Sequence, residues 1–160
     1  MDLHDLYSRY ASDVRRFALY LCGNEAVADD LTSETFLRAW SSSTPIREST
    51  VKAYLFTIVR HLYLSELRRS SRQEALSDTF PSVAPDQHEA LESMNSMTAV
   101  LHALRQLPEI DRAALLMRAQ DGMPYEQIAE ILKLSTANAK VKVHRARLKL
   151  GTLIPRKVLP

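Results

Sequence analysis

Cysteine, glycine and long apolar runs are all scarce in this chain, and each shortage narrows what it can be. A single cysteine, Cys22, in 160 residues excludes an internal disulfide framework and a cysteine zinc cluster. It reads as a buried, reduced thiol. Only three glycines and seven prolines, in a chain rich in Leu, Ala and Arg, favour helices over sheet. No apolar run is long enough to cross a membrane and no signal peptide opens the chain, so a cytoplasmic protein without membrane insertion is expected. His4, His88, His102 and His144 fall at no metal-ligand or triad spacing, so no metal, cofactor or enzymatic chemistry is expected. Acid is missing from Ile131 onward, where Lys133, Lys140, Lys142, Arg145, Arg147, Lys149, Arg156 and Lys157 are all positive. Lys and Arg are missing from Gln73 to Ala99, which holds Glu74, Asp78, Asp86, Glu89 and Glu92. The net charge is only +2, but this asymmetry suits a polyanionic partner for the basic end.

What is present is hydrophobic content of 46%, ample for a packed core. Leu3, Leu6, Tyr7, Tyr10, Val14, Phe17 and Leu21 recur at helical spacing, and Gly23-Asn24 stops that helix. A second helix is predicted from about Glu25 to Trp40, with Ala28, Leu31, Phe36 and Trp40 inward. Ser41 to Pro45 breaks it. A third should start near Ser49 and run to about Arg72 on a stripe of Val51, Tyr54, Leu55, Ile58 and Leu62. Ser70 to Pro85 then loses all period and reads as a linker. Asp86 with Glu89 is a capping-box signal for a further helix whose inner stripe is Leu91, Met94, Thr98, Leu101 and Leu104, ended by Pro108. Ile110, Ala113, Ala114 and Met117 mark the next, closed by Asp121-Gly122. The predicted fold class is all-α: two small helical domains, 1–72 and 91–155, joined by a flexible linker at 73–90.

The segment from Pro124 to Arg147 is the most specific. It pairs a short helix, with Ile128, Ala129, Ile131 and Leu132 inward, with a basic second helix capped by Ser135, the pattern of a helix-turn-helix. Ala139, Val143, Ala146 and Leu150 form the buried face of the second helix, leaving Lys140, Val141, His144 and Arg145 outward, as a helix entering the DNA major groove requires. Two further patterns precede it. Asp30, Glu34 and Arg38 share an exposed face of the second helix, suited to a basic partner or to solvent. On the third helix Phe56, Arg60, Tyr63 and Leu67 interleave aromatic and basic residues beside His61, Arg68, Arg69 and Arg72. Single-stranded DNA is bound by such interleaving, and buried aromatics give the same spacing.

Together these segments resemble a bacterial sigma factor of the extracytoplasmic-function group in the sigma-70 family. Residues 27–40, VADDLTSETFLRAW, resemble the family's polymerase-binding helix, and Ala53 to Leu62, running on to Arg69, its promoter-melting helix. Leu107-Pro108, Tyr125 to Ala129 and His144 to Arg147 resemble its second domain. The resemblance implies that Asp30, Ser33 and Glu34 contact the β′ clamp helices of core RNA polymerase. It implies that Phe56, Arg60, His61, Tyr63, Arg68, Arg69 and Arg72, with the loop from Ser41 to Thr50, hold the −10 element. It sets Lys140, Val141, His144 and Arg145 against the −35 element. An anti-sigma factor that clamps both domains is a further partner it implies. The chain departs from the family's frequent residues at Ser33 (Gln), His61 (Asn), Ser65 (Asp), Lys133 (Gly) and Val141 (Ser). The rival on the residues alone is a free-standing helix-turn-helix regulator, which explains 107–150 equally well and leaves the first domain unexplained. A protein-binding adaptor is opposed by the basic last helix.

Overall fold

The computed structural model describes residues 2–42, 47, 50–76 and 95–154, which form seven α-helices and no strand. Helix α1 spans Leu3–Cys22, α2 Glu25–Ser41 and α3 Val51–Leu76. Helix α4 spans Ser96–Arg105, α5 Glu109–Ala119, α6 Tyr125–Leu132 and α7 Thr136–Leu153. Most of the predicted loop at 41–50 and linker at 73–90, the Asp86–Glu89 cap, Leu91, Met94 and the last six residues lie outside the described residues.

Local chemistry sets the helix ends. The Asp2 side chain accepts from Asp5 N–H to open α1, and Asn24 does the same for Val27 N–H at the start of α2. Between them Gly23 sits at φ 74°, the left-handed conformation that glycine adopts without a Cβ penalty. Asn95 caps α4 through Thr98 N–H, which turns Ala99 and Ala103 inward in place of Thr98; Leu101 is half-buried and Leu104 buried. The stripe expected there is therefore corrected: alanines let α4 approach its neighbours closely, and Thr98 is spent at the cap's exposed end.

Helices α1, α2 and α3 pack around Val14, Phe17, Leu21, Ala28, Leu31 and Leu55. Phe17 and Phe56 stack in parallel with ring centroids 4.3 Å apart, both fully buried. Cys22 is buried too, its thiol donating to Asn24 C=O, and burial pushes its pKa up. Trp40, expected in this core, is 54% exposed, and Leu37 beside it is 57% exposed. Tyr7 also stays half in solvent, with its ring edge-on to Phe36.

Helices α5, α6 and α7 form the second core around Met117, Ile128, Val143 and Ala146. The turn between α6 and α7 runs through Lys133 at φ 57°, the one non-glycine residue in the left-handed region among the described residues. Leu134 N–H returns to Ala129 C=O at 2.8 Å, and the Ser135 hydroxyl accepts from Asn138 N–H to start α7. An L-residue pays for this conformation, so Lys133→Gly is expected to raise stability by about 0.5–1 kcal/mol. Thermal denaturation of the two chains checks it.

The two helical groups are in contact. Helix α1 packs on α4 and α5, α3 touches α6, and the buried apolar side chains of both groups form one continuous cluster.

Candidate polymerase and promoter interfaces

Helix α2 turns one face wholly to solvent. Asp30, Ser33 and Glu34 are exposed on it, and Leu37 and Trp40 continue the same face toward the C-terminus. Glu34 holds Arg38 at 3.2 Å, an exposed pair of little energetic consequence. Asp29, just off this face, is held by Arg15 at 2.7 Å. The result is a surface of acid beside uncovered apolar area. Sequence reading found the acids and missed Leu37 and Trp40. The signal was their spacing from Ser33, four and seven residues on, which shares its face.

Helix α3 divides its aromatic-basic set. His61, Arg68, Arg69 and Arg72 are exposed, with Arg69 paired to Glu66 at 2.8 Å and Arg68 donating to Ser65 Oγ. His61 lies at a groove whose opposite wall is Gln127, Glu130 and Lys133. Phe56 and Tyr63 do not present faces for bases to stack on. Phe56 has no exposed area because Phe17 covers its ring, so its assignment to base stacking is corrected to a core role. Tyr63, in the same core cluster, is 4% exposed, and Arg112 from α5 donates to its hydroxyl at 3.1 Å. Arg60 is also occupied, giving Nε and Nη2 to the two carboxylate oxygens of Glu109 at 2.7 and 2.8 Å.

Helix α7 turns Lys140, Val141, His144 and Arg145 outward, all exposed. Lys140 reaches over the Tyr125 ring at 5.7 Å, which Arg118 covers from 4.5 Å. Beneath the helix, Asp111 is 2% exposed and sets its two oxygens 3.6 Å from Lys142 and from Arg145. Asp111 was not singled out from the sequence. Its signal was an Asp-Arg pair inside the otherwise apolar run of α5. The buried acid thus faces two cations of α7.

The order of these surfaces along the chain finds its match among known proteins. Residues 6–73 match the family model Sigma-70 region 2, and residues 97–150 match Sigma-70, region 4. The ECF RNA polymerase sigma factor EcfG of Rhodopseudomonas palustris (strain TIE-1) is 36% identical over 148 residues, covering 88% of this chain and 78% of that protein. The chain belongs to the extracytoplasmic-function sigma factors of the sigma-70 family. The sigma factor SigM of Bacillus subtilis (strain 168) is 28% identical over 163 residues, covering 99% of this chain and 98% of that one. Among solved structures, the sigma factor RpoE of Bartonella quintana, in complex with the anti-sigma factor NepR, superposes with a TM-score of 0.74. It is 28% identical, with 92% of each chain covered. The two family models thus bracket the two helical groups of this sigma factor, with α1–α3 in one and α4–α7 in the other.

Proposed function

We propose that this sigma factor docks on core RNA polymerase through the exposed face of α2 and directs promoter recognition and strand opening for transcription initiation. The observation that carries the docking is the face itself: Asp30, Ser33 and Glu34 in solvent, continued by the uncovered side chains of Leu37 and Trp40. Charge steers a basic partner to this face, and the apolar pair gives area to desolvate once it arrives. The partner of this chemistry is the β′ clamp helices of polymerase. Arg60, His61, Arg68, Arg69 and Arg72 on α3 hold the −10 element, with Tyr63 available to a base when uncovered. Lys140, Val141, His144 and Arg145 read the −35 element in the major groove, where a guanidinium or ammonium donates to guanine and Val141 meets a thymine methyl. Polymerase makes the bonds; the sigma factor supplies no catalytic group of its own. It works in the cytoplasm, consistent with the absence of any helix long and apolar enough to cross a membrane among the described residues. The likeness to a sigma factor solved with its anti-sigma partner supports regulation by such a protein.

Co-elution of the purified chain with core polymerase tests the docking. The wild type is expected to co-elute, and the Asp30→Arg, Glu34→Arg double variant to lose at least tenfold in affinity, since two attractive charges become repulsive. Co-elution that survives the double variant moves the contact off α2. No co-elution of the wild type, with duplex DNA still bound, replaces the sigma reading with that of a free-standing regulator.

A further inference from the structure

A negative charge lies buried beneath the basic helix α7. Asp111 stands in the first turn of α5, which packs along α7, and is 2% exposed. A carboxylate near a helix start is favourable in water too, so the helix dipole does not explain why this one is buried. Burial costs desolvation, and Oδ1 has no hydrogen-bond partner among the described residues. What faces the acid is a pair of cations. Lys142 Nζ lies 3.6 Å from Oδ1, and Arg145 Nε lies 3.6 Å from Oδ2.

The two cations are not equivalent. They stand three residues apart on one side of α7, each next to a buried residue, Val143 and Ala146. The Lys142 side chain is 25% exposed, and its single charge suffices to balance the acid. Arg145 is the excess cation, with its side chain 58% exposed. It meets the acid through Nε, the nitrogen nearest its stem, which leaves the outer pair of Nη groups for a ligand. A guanidinium reads guanine with two N–H groups, one on O6 and one on N7. A free side chain of this length must be ordered before it can do so, and one held at Nε is ordered in advance. At 3.6 Å the pair is within ion-pair reach and just beyond hydrogen-bond length. DNA that covers the helix displaces water and strengthens the attraction.

We propose that Asp111 is a positioning residue for −35 recognition: it holds Arg145 by Nε, so that the two Nη groups meet guanine as a preset fork. This rests on the −35 reading of α7. The arrangement carries a signature. An acid near DNA phosphates weakens binding to every sequence, while a fixed guanidinium sharpens the choice between bases. Affinity and discrimination therefore move in opposite directions when Asp111 loses its charge. A residue that only supports the fold moves both down.

Binding of the full chain to a pool of duplexes with a randomised central tract, read by sequencing the bound fraction, tests this. Arg145→Ala comes first: the base pair whose guanine preference it flattens is the one Arg145 reads. The wild type is expected to favour guanine there by about tenfold or more, the scale of one bidentate pair. Asp111→Asn, equal in size, is expected to cut that preference by about threefold or more, while affinity averaged over the pool rises. Added to Arg145→Ala, it is expected to flatten nothing further. Glu126→Gln, which removes an exposed acid from α6, is expected to leave every preference in place. A guanine preference that survives Asp111→Asn overturns the inference and leaves the −35 reading standing. Affinity that falls together with preference at every position overturns it as well. If Arg145→Ala flattens no position, the inference and the −35 assignment of Arg145 fall together. A second measurement needs no variant. By NMR of the wild type, the Arg145 Nε–H is expected to exchange with water more slowly than that of the exposed Arg147. Equal exchange overturns the inference, whatever Asp111→Asn does to the fold.

Discussion

The Phe56→Ala variant is expected to lose about 3–5 kcal/mol of stability, the cost of deleting a large buried aromatic and leaving a cavity. That is a large part of what a small domain has. Phe56 is fully buried and its ring lies 4.3 Å from that of Phe17, with the planes 3° apart. The loss therefore combines apolar area returned to water with contacts stripped from the Phe17 face. Chemical denaturation measures it as a lower midpoint at unchanged slope. Phe56→Leu separates this role from base stacking. Leucine fills most of the volume but offers no ring, so it is expected to keep strand binding and to lose far less stability. A leucine variant that folds well and loses strand binding would return Phe56 to the DNA.

This residue marks the limit of what helical spacing conveys. Helix α3 has two apolar stripes, and both the core reading and the DNA reading fit the one holding Phe56 and Tyr63. Only three dimensions separate them: Phe56 stacks on Phe17 of its own domain, and the buried Tyr63 has its hydroxyl held by Arg112 of the other. Trp40 failed in the opposite direction. Its large apolar side chain at helical spacing from Phe36 reads as core, yet α2 leaves it half in solvent on the face that holds Leu37. Periodicity finds a face and does not say whether the chain itself or a partner covers it.

The local signals fared better because their physics is local. The Gly23-Asn24 stop placed the end of α1 and the start of α2 within a residue of expectation. The inward set of α6, the Ser135 cap and the outward set of α7 all follow from spacing and a hydroxyl at one position. Lys133 stands where the family frequently has glycine, and its φ is 57°. By contrast, the partners of Arg60, Arg105 and Arg112 stand 49, 83 and 91 positions away. No pattern in a single sequence pairs charges across such gaps, and Asp111 under α7 was hidden for a related reason: an acid in a run of apolar residues shows that something must satisfy it and not what.

Arg112 is where these long-range contacts converge, and Arg112→Ala is expected to uncouple the domains. One guanidinium donates to Leu21 C=O, to the Tyr63 hydroxyl and, at 3.4 Å, to Leu107 C=O. Truncation leaves the first two acceptors buried and unpaired in the closed form, at roughly 1–3 kcal/mol each. The closed form thus loses about 3 kcal/mol relative to an open one in which water reaches both acceptors. Calorimetry is expected to show one transition for the wild type, because a single buried cluster spans both domains, and two for the variant. Arg112→Lys should restore little, since an ammonium cannot span acceptors set for a planar fork. Tyr63→Phe removes one of the same acceptors. Combined with Arg112→Ala, it is expected to add less than it costs alone, because the second change deletes a hydroxyl already left without its donor. Full additivity would mean that Arg112 and Tyr63 act separately, and the coupling of the domains would then rest on Leu21 and the Arg60–Glu109 pair.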